Sequence, residues 1–321
     1  MPMRSPAPLA LVTVLLFAPA LPASGDARRS AGSDDGRVVS DEPARVPEFE
    51  KADGVDYFVD RDAYERIRGD ARFELREVWY RSGGLRVPAF VYRPRETGGR
   101  RLPVVVFNRG SYVVGAEFGY RALPMFHRLA ESGFLVVAPF YRGSLGAEGK
   151  DELGGGDLDD LMNVARLLEA FPYADRANVF LYGESRGGVM ALMAIRDGFP
   201  ANAAATFGAF TDLDAYVRSA GPQLLALSRT IWADFDARKG EIVRRRSAVY
   251  WPEKITVPLL LMHGGADGSV DPSHARALAE GLRRAGAEFE LAVFDGDNHV
   301  LRAHQEERDR RAAEWFRRHM K

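Results

Sequence analysis

No cysteine occurs among the 321 residues. Disulfides, thiolate metal sites and a cysteine nucleophile are therefore excluded, while the redox compartment stays open. An excess of charge of either sign is also missing. The formal net charge is -1, so nothing favours a polyanionic partner such as nucleic acid. No internal repeat is present. Long hydrophobic runs are scarce: the N-terminal stretch Leu9–Ala18 is too short to span a bilayer, and no stable membrane insertion is expected. That stretch follows the basic Arg4 and precedes small residues and prolines, the pattern of a signal peptide over residues 1–23, cleaved after Ala20, Ala23 or Gly25. An exported protein, periplasmic or secreted, is the expectation. Residues 24–48, rich in Ser, Asp, Gly, Pro and Arg, hold too little apolar surface to fold and read as a tether. The run Arg244, Arg245, Arg246 and the arginines from Arg308 to Arg318, interleaved with acids, read as solvated faces.

What remains, residues 49–321, reads as one domain, and an apolar content of 46% supplies a large core. "FELREVWY" and "RVPAFVYR" are β-like runs joined through a glycine turn, an antiparallel hairpin. Continuous apolar runs then alternate with helical patterns: "LPVVVFN", "FLVVAPF", "NVFLYG", "AAATFG", "VPLLLMHG" and "FELAVFDG". Such runs suit strands covered on both faces. Between them, Leu158, Leu161, Met162, Ala165 and Leu168 fall on one helical stripe with Asp157 as a cap. The alternation implies a doubly wound, mostly parallel α/β sheet with an antiparallel start. Residues 212–252 break the rhythm. They hold two helical stretches, around Ala215–Ala226 and Arg238–Ser247, in a small insertion whose Trp232, Phe235 and Tyr250 either face an acyl group or pack the insertion onto the domain.

Ser185 stands in Gly-x-Ser-x-Gly, Gly183 to Gly187, between a strand pattern and an apolar helix pattern. The five-residue pattern alone also fits a glycine-rich turn whose serine caps a helix. In strand–turn–helix context it is a nucleophile elbow, where the helix N-terminus presents N–H groups to an oxyanion. A hydroxyl nucleophile needs a base, and the base needs an acid. Of the six histidines, His299 lies in "FDGDNHVL", the loop after the last strand, where the base belongs. "LLLMHGGADGSVDP" offers two acids: Asp267 within the loop, and Asp271, placed before Pro272 as a helix-start residue. His263, Asp267, Asp271 and His274 match no metal-site spacing, and neither metal nor cofactor is expected. Oxyanion donors are sought at the backbone N–H of Arg186 and in the loop Asn108-Arg109-Gly110-Ser111, either from the Gly110 backbone or from the Asn108 side-chain amide.

These segments resemble the catalytic domain of the prolyl oligopeptidase family of serine peptidases, within the α/β-hydrolase superfamily. The likeness runs from about Leu102 to the C-terminus, through "FYRGSLGAEGKDELGGGDLDDLMN", "NVFLYGESRGG", "SAVYWPEKITVPLLLMHGGADGSVDPSHARALAEGL" and "FDGDNHVL". It implies Ser185 as nucleophile, Asp267 as acid and His299 as base. Asn108-Arg109-Gly110 departs from the Tyr or His-Gly-Gly of many members. The stretch Ala27–Arg101 ahead of the sheet core is too short for the β-propeller that larger members carry. The expectation is a serine hydrolase working through an acyl-enzyme, foremost a peptidase on short peptides. A broad carboxylesterase is the alternative, and a non-catalytic binding relative is the reading from a different class.

Overall fold

The computed structural model describes residues 32–52, 54–112 and 115–321. The expected signal peptide lies outside the described residues. Nine strands form one sheet: β1 (Val38–Pro43), β2 (Phe73–Ser82), β3 (Leu85–Pro94), β4 (Leu102–Asn108), β5 (Leu135–Pro139), β6 (Ala174–Glu184), β7 (Ala203–Phe207), β8 (Leu259–Gly264) and β9 (Phe289–Phe294), in the order β1-β2-β3-β5-β4-β6-β7-β8-β9. The first three strands and the β3–β5 pair are antiparallel, and the remaining pairs are parallel. The hairpin turns on Gly83 and Gly84, both at positive φ (57° and 84°), as the tight mirror-image turn between twisted strands requires.

Strand β1 corrects the expected tether. Val38–Pro43 pairs with β2 over the register Val38↔Tyr80 to Pro43↔Arg76, and Arg76 Nε donates to Asp41 at 2.5 Å. An edge strand can be polar on both faces, because its backbone pairing rather than its side chains holds it. Low apolar content therefore did not mark it as disordered.

Eleven α-helices lie among the described residues: α1 (Arg61–Arg68), α2 (Ala116–Arg121), α3 (Leu123–Glu131), α4 (Gly156–Met162), α5 (Val164–Leu167), α6 (Arg186–Arg196), α7 (Leu213–Ser219), α8 (Pro222–Ile231), α9 (Phe235–Arg245), α10 (Ser273–Ala285) and α11 (Gln305–Arg318). Alternate residues of the central strands feed separate cores on the two faces of the sheet. Val104, Val106 and Leu181 pack with α4 and α6, while Val105, Phe107, Phe180 and Tyr182 pack with α3 and α11. Asp157 is not the N-cap of α4. It lies inside the helix, fully buried, and accepts the N–H groups of Gly154 and Gly155, both at 2.9 Å.

The insertion holds three helices, α7 to α9, where two were expected. Its aromatics pack it down. Trp232 stacks on Phe235 with ring centroids 5.8 Å apart, and its Nε1–H donates to the Glu152 carbonyl at 2.9 Å. Tyr250 alone of the three is exposed. The basic runs are likewise only partly solvated. Arg246 is buried and donates to the Leu153 carbonyl at 2.6 Å. Arg308 is buried against Asp309, which also receives Arg128 and the Tyr182 hydroxyl. Charge interleaving in a sequence does not tell which helix face a given arginine occupies.

No helix among the described residues is long and apolar enough to cross a membrane.

Candidate active site

Strand β4 is flanked by β5 on one side and β6 on the other, so the chain reverses its direction of travel across the sheet there. The crevice beyond the carboxyl ends of strands at such a reversal is where open α/β sheets bind ligands. Ser185 sits at that place, between the end of β6 and the start of α6, with φ 50° and ψ -119°. A non-glycine residue with positive φ is strained, and the surroundings must hold it there. Part of the restraint is the Ser185 N–H, which donates to the Phe207 carbonyl at 2.8 Å. Another part is close packing under the turn. A Cβ at Gly187 would overlap the Asn108 carbonyl oxygen, so only glycine lets the base of α6 meet the end of β4.

The register carries the histidine to the serine. Glu184 pairs with Phe207, which sets Gly208 beside Ser185 on the neighbouring strand end. The His299 ring lies directly on Gly208: a Cβ there would stand 3.0 Å from its Nδ1 and Cε1. His299 Nδ1 donates to Asp267 Oδ2 at 2.7 Å. Asp267 Oδ1 accepts the N–H groups of Ser269 and Val270 at 2.8 and 2.9 Å. A second histidine, unforeseen from sequence, also serves this acid. His263 Nε2 lies 2.8 Å from the Val270 carbonyl and 3.1 Å from Asp267 Oδ2. Both neighbours are pure acceptors, so Nε2 carries the proton and shares it between them. Burial raises the Asp267 carboxyl, but the hydrogen bonds from His263 and His299 outweigh it and hold the group below the ordinary carboxylate range. The signal in the sequence was its position at the end of an apolar strand, four residues before Asp267.

Asp271 stands apart from this constellation and accepts the Ser273 N–H at 2.8 Å, at the start of α10. His274 is buried against Thr211, and His304 pairs with Asp297. His263, Asp267, Asp271 and His274 do not converge as ligands. Asp70, His127 and Glu131 do bring ligand atoms within 4.8 Å of one another. There the Arg72 guanidinium bridges both carboxylates, at 2.5 Å to Asp70 and 3.3 Å to Glu131.

On the opposite side of Ser185 lies the loop after β4. A Cβ at Gly110 would stand 3.4 Å from Ser185 Cβ, which brings this backbone against the nucleophile position. The Arg186 N–H, in the first turn of α6, has no acceptor within its own helix. Asn108 departs from expectation. Its Nδ2 donates to the Val106 carbonyl at 3.1 Å and its Oδ1 accepts the Tyr141 hydroxyl at 2.9 Å, with the residue fully buried. Its amide thus ties the end of β4 to the loop that follows β5 and is withdrawn from the crevice. Sequence reading also missed the N-terminal segment here. The Tyr57 hydroxyl accepts from Asn298 Nδ2 at 2.8 Å, next to His299, and Phe58 lines a small hollow with Glu184, Phe207 and Met125.

A strained serine at the carboxyl end of a parallel strand, with a carboxylate–imidazole pair seated on the next strand, defines the α/β-hydrolase class. Residues 123–321 match the Prolyl oligopeptidase family. The chain belongs to this family and is a serine hydrolase. It is similar to an uncharacterized peptidase, YtmA, of Bacillus subtilis (strain 168): 28% identical over 229 residues, covering 71% of this chain and 86% of the relative. Among solved structures, Pyrococcus horikoshii acylaminoacyl peptidase superposes with a TM-score of 0.64 at 20% identity, over 82% of this chain and 44% of that one. An esterase of Pyrococcus furiosus superposes with a TM-score of 0.63 at 18% identity, over 87% of this chain and 98% of the esterase. These superpositions share the fold.

Proposed function

We propose that the protein is an exported peptidase acting on short peptides, with Ser185 as nucleophile, His299 as general base and then acid, and Asp267 as the group that orients the imidazole. His299 Nε2 takes the Ser185 proton as Oγ attacks the carbonyl carbon. The tetrahedral oxyanion is bound by the N–H groups of Arg186 and Gly110. The proton passes to the leaving amine as the acyl-enzyme forms, and water repeats the sequence. The observation that carries this reading is the 2.7 Å bond from His299 Nδ1 to Asp267, with the ring seated on Gly208 beside the strained Ser185. It fixes the imidazole tautomer with Nε2 free to accept.

The experiment is twofold. A fluorophosphonate should label the wild-type protein at Ser185 and leave Ser185→Ala unlabelled. Then kcat/KM is measured on blocked short peptides and on activated nitrophenyl esters. Cleavage of peptide bonds supports the peptidase reading. Turnover of esters with peptides resistant would make the protein a carboxylesterase, a reading favoured by the likeness to the Pyrococcus furiosus esterase along nearly its whole length. Export is supported by the pattern over residues 1–23. N-terminal sequencing of protein recovered outside the cytoplasm tests it, and an intact Met1 would refute cleavage.

A further inference from the structure

Two arginines are buried behind the Gly110 loop, each 3% exposed. Arg109 Nη1 donates to the Gly110 and Ser111 carbonyls at 3.0 and 3.2 Å. Its Nη2 donates to the Phe140 carbonyl at 2.8 Å, Ser144 Oγ at 2.7 Å and Asp151 Oδ2 at 3.3 Å. Arg186 Nη1 donates to the same Ser111 carbonyl at 3.2 Å, and its Nη2 to Asp151 and Asp157, both at 2.7 Å. Both guanidiniums lie against the Tyr141 ring, 5.1 Å from Arg109 and 4.8 Å from Arg186 to its centroid. The insertion pins the acid-bearing loop from the far side, since Trp232 and Arg246 both bond the Glu152 carbonyl.

A burial this costly would be avoided in a plain strand–helix turn. Isolated charges in a protein interior cost several kcal/mol each unless compensated. Here two cations and two carboxylates balance, and three of the guanidinium hydrogen bonds go to main-chain oxygens of one loop. Peptide units are planar, so holding the Gly110 and Ser111 carbonyls fixes the two peptide planes that follow Gly110 and, through its Cα, limits where the Gly110 N–H can lie. Ser111, at φ 62°, needs such a restraint to keep its strained turn.

We propose that Arg109 and Arg186, joined through Asp151, are positioning residues for the oxyanion-binding loop: they hold the Gly110 and Ser111 carbonyls and so keep Gly110 where its own N–H meets the substrate oxyanion beside Ser185. The inference rests on the triad reading above. The two fail separately, because loss of the triad reading would show as a wild-type protein that does not label at Ser185.

The test uses Arg109→Lys, Arg109→Met and the double variant Arg109→Met/Asp151→Asn. Lysine keeps the charge but not the fork that reaches several carbonyls. Arg109→Lys should keep its Tm while kcat falls by about 10²-fold or more, the scale of one lost oxyanion donor. KM should hold within about threefold, the signature of an interaction made in the transition state. Arg109→Met should lose Tm as well. The double variant restores neutrality and should recover Tm without recovering kcat. Affinity for a substrate-like boronic acid, whose tetrahedral adduct mimics the oxyanion, should fall in step with kcat. Wild-type kcat in Arg109→Lys would overturn the proposal. So would recovery of kcat together with Tm in the double variant, which would reduce the cluster to a structural role.

Discussion

The two sides of Ser185 are held by different physics. On the acid side the bonds that shape the Asp267 loop are local, and the one long reach is the His299–Asp267 pair itself, across 32 positions. Asp267 Oδ1 takes N–H groups two and three positions ahead, at 2.8 and 2.9 Å, and His263 reaches it from four positions behind. On the oxyanion side the bonds are long-range and charged. Arg109 meets Asp151 across 42 positions, and Arg186 meets Asp151 and Asp157 across 35 and 29. A locally bonded loop keeps its shape wherever its strand ends. A loop held by distant charges keeps its shape only when the whole α/β sheet is assembled, so its geometry is a property of the fold.

The largest effect belongs to the groups that both sides serve. Ser185→Ala and His299→Ala should each lower kcat by roughly 10⁶-fold if the triad acts as a unit, with circular dichroism and Tm close to wild type. A purified Ser185→Ala protein retaining a tenth of wild-type turnover would remove the common centre from the comparison.

Next comes the acid. Asp267→Asn should lower kcat by about 10⁴-fold, because an amide at this position favours the wrong imidazole tautomer. Asp271→Asn removes one bond at a helix start and should leave kcat within about threefold, at a stability cost of about 1 kcal/mol. Reversal of that order in turnover would transfer the acid role to Asp271.

The same contrast decides what was legible in the sequence. Elbow, acid loop and histidine loop are contiguous motifs whose chemistry is local, so Ser185, Asp267 and His299 could be named before any contact was known. Strand boundaries in buried apolar runs were equally plain: "LPVVVFN" is β4 residue for residue. Asn108 was misread because its amide is spent on Tyr141, 33 positions away. Arg246 was misread for the same reason, since its partner Leu153 is 93 positions away, whereas Arg308 has near partners but lies on the helix face that the fold buries. Strand β1 was missed because an edge strand is identified by its neighbour rather than by its own composition.

Acid should separate the two sides by sign. Asp267 is held below the ordinary carboxylate range, whereas burial raises Asp151 despite the nearby Arg186 and Arg109. A depressed carboxylate contributes stability that is fully present above its unfolded value of about 4 and is lost as pH falls through the folded value. Wild-type Tm should therefore fall more steeply between about pH 5 and pH 2 than that of Asp267→Asn, which has no such group to protonate. A raised carboxyl takes up its proton earlier, so Asp151→Asn should not flatten the same acid limb. Parallel acid limbs for wild type and Asp267→Asn would show that Asp267 is not held low.

The smallest effect sharpens the contrast most finely. Besides its bonds to the acid loop, the histidine loop reaches the N-terminal segment through one bond, from Asn298 Nδ2 to the Tyr57 hydroxyl at 2.8 Å, and holds several local ones. Asn298 Oδ1 accepts the N–H groups of Val300 and Arg302, both at 3.2 Å, and the Asn298 N–H donates to Asp297 Oδ1 at 2.8 Å. If local bonds set the loop, deleting the distant one costs only a net hydrogen bond, about 0.5–1.5 kcal/mol. Tyr57→Phe removes the hydroxyl and keeps the ring, over which the Arg302 guanidinium lies at 4.6 Å. Its kcat/KM should fall by about two- to tenfold, the rate equivalent of that energy. A hundredfold loss would mean that the N-terminal segment, and not the local turn, orients His299. Both sides of Ser185 would then depend on distant partners, and the difference drawn between them would disappear.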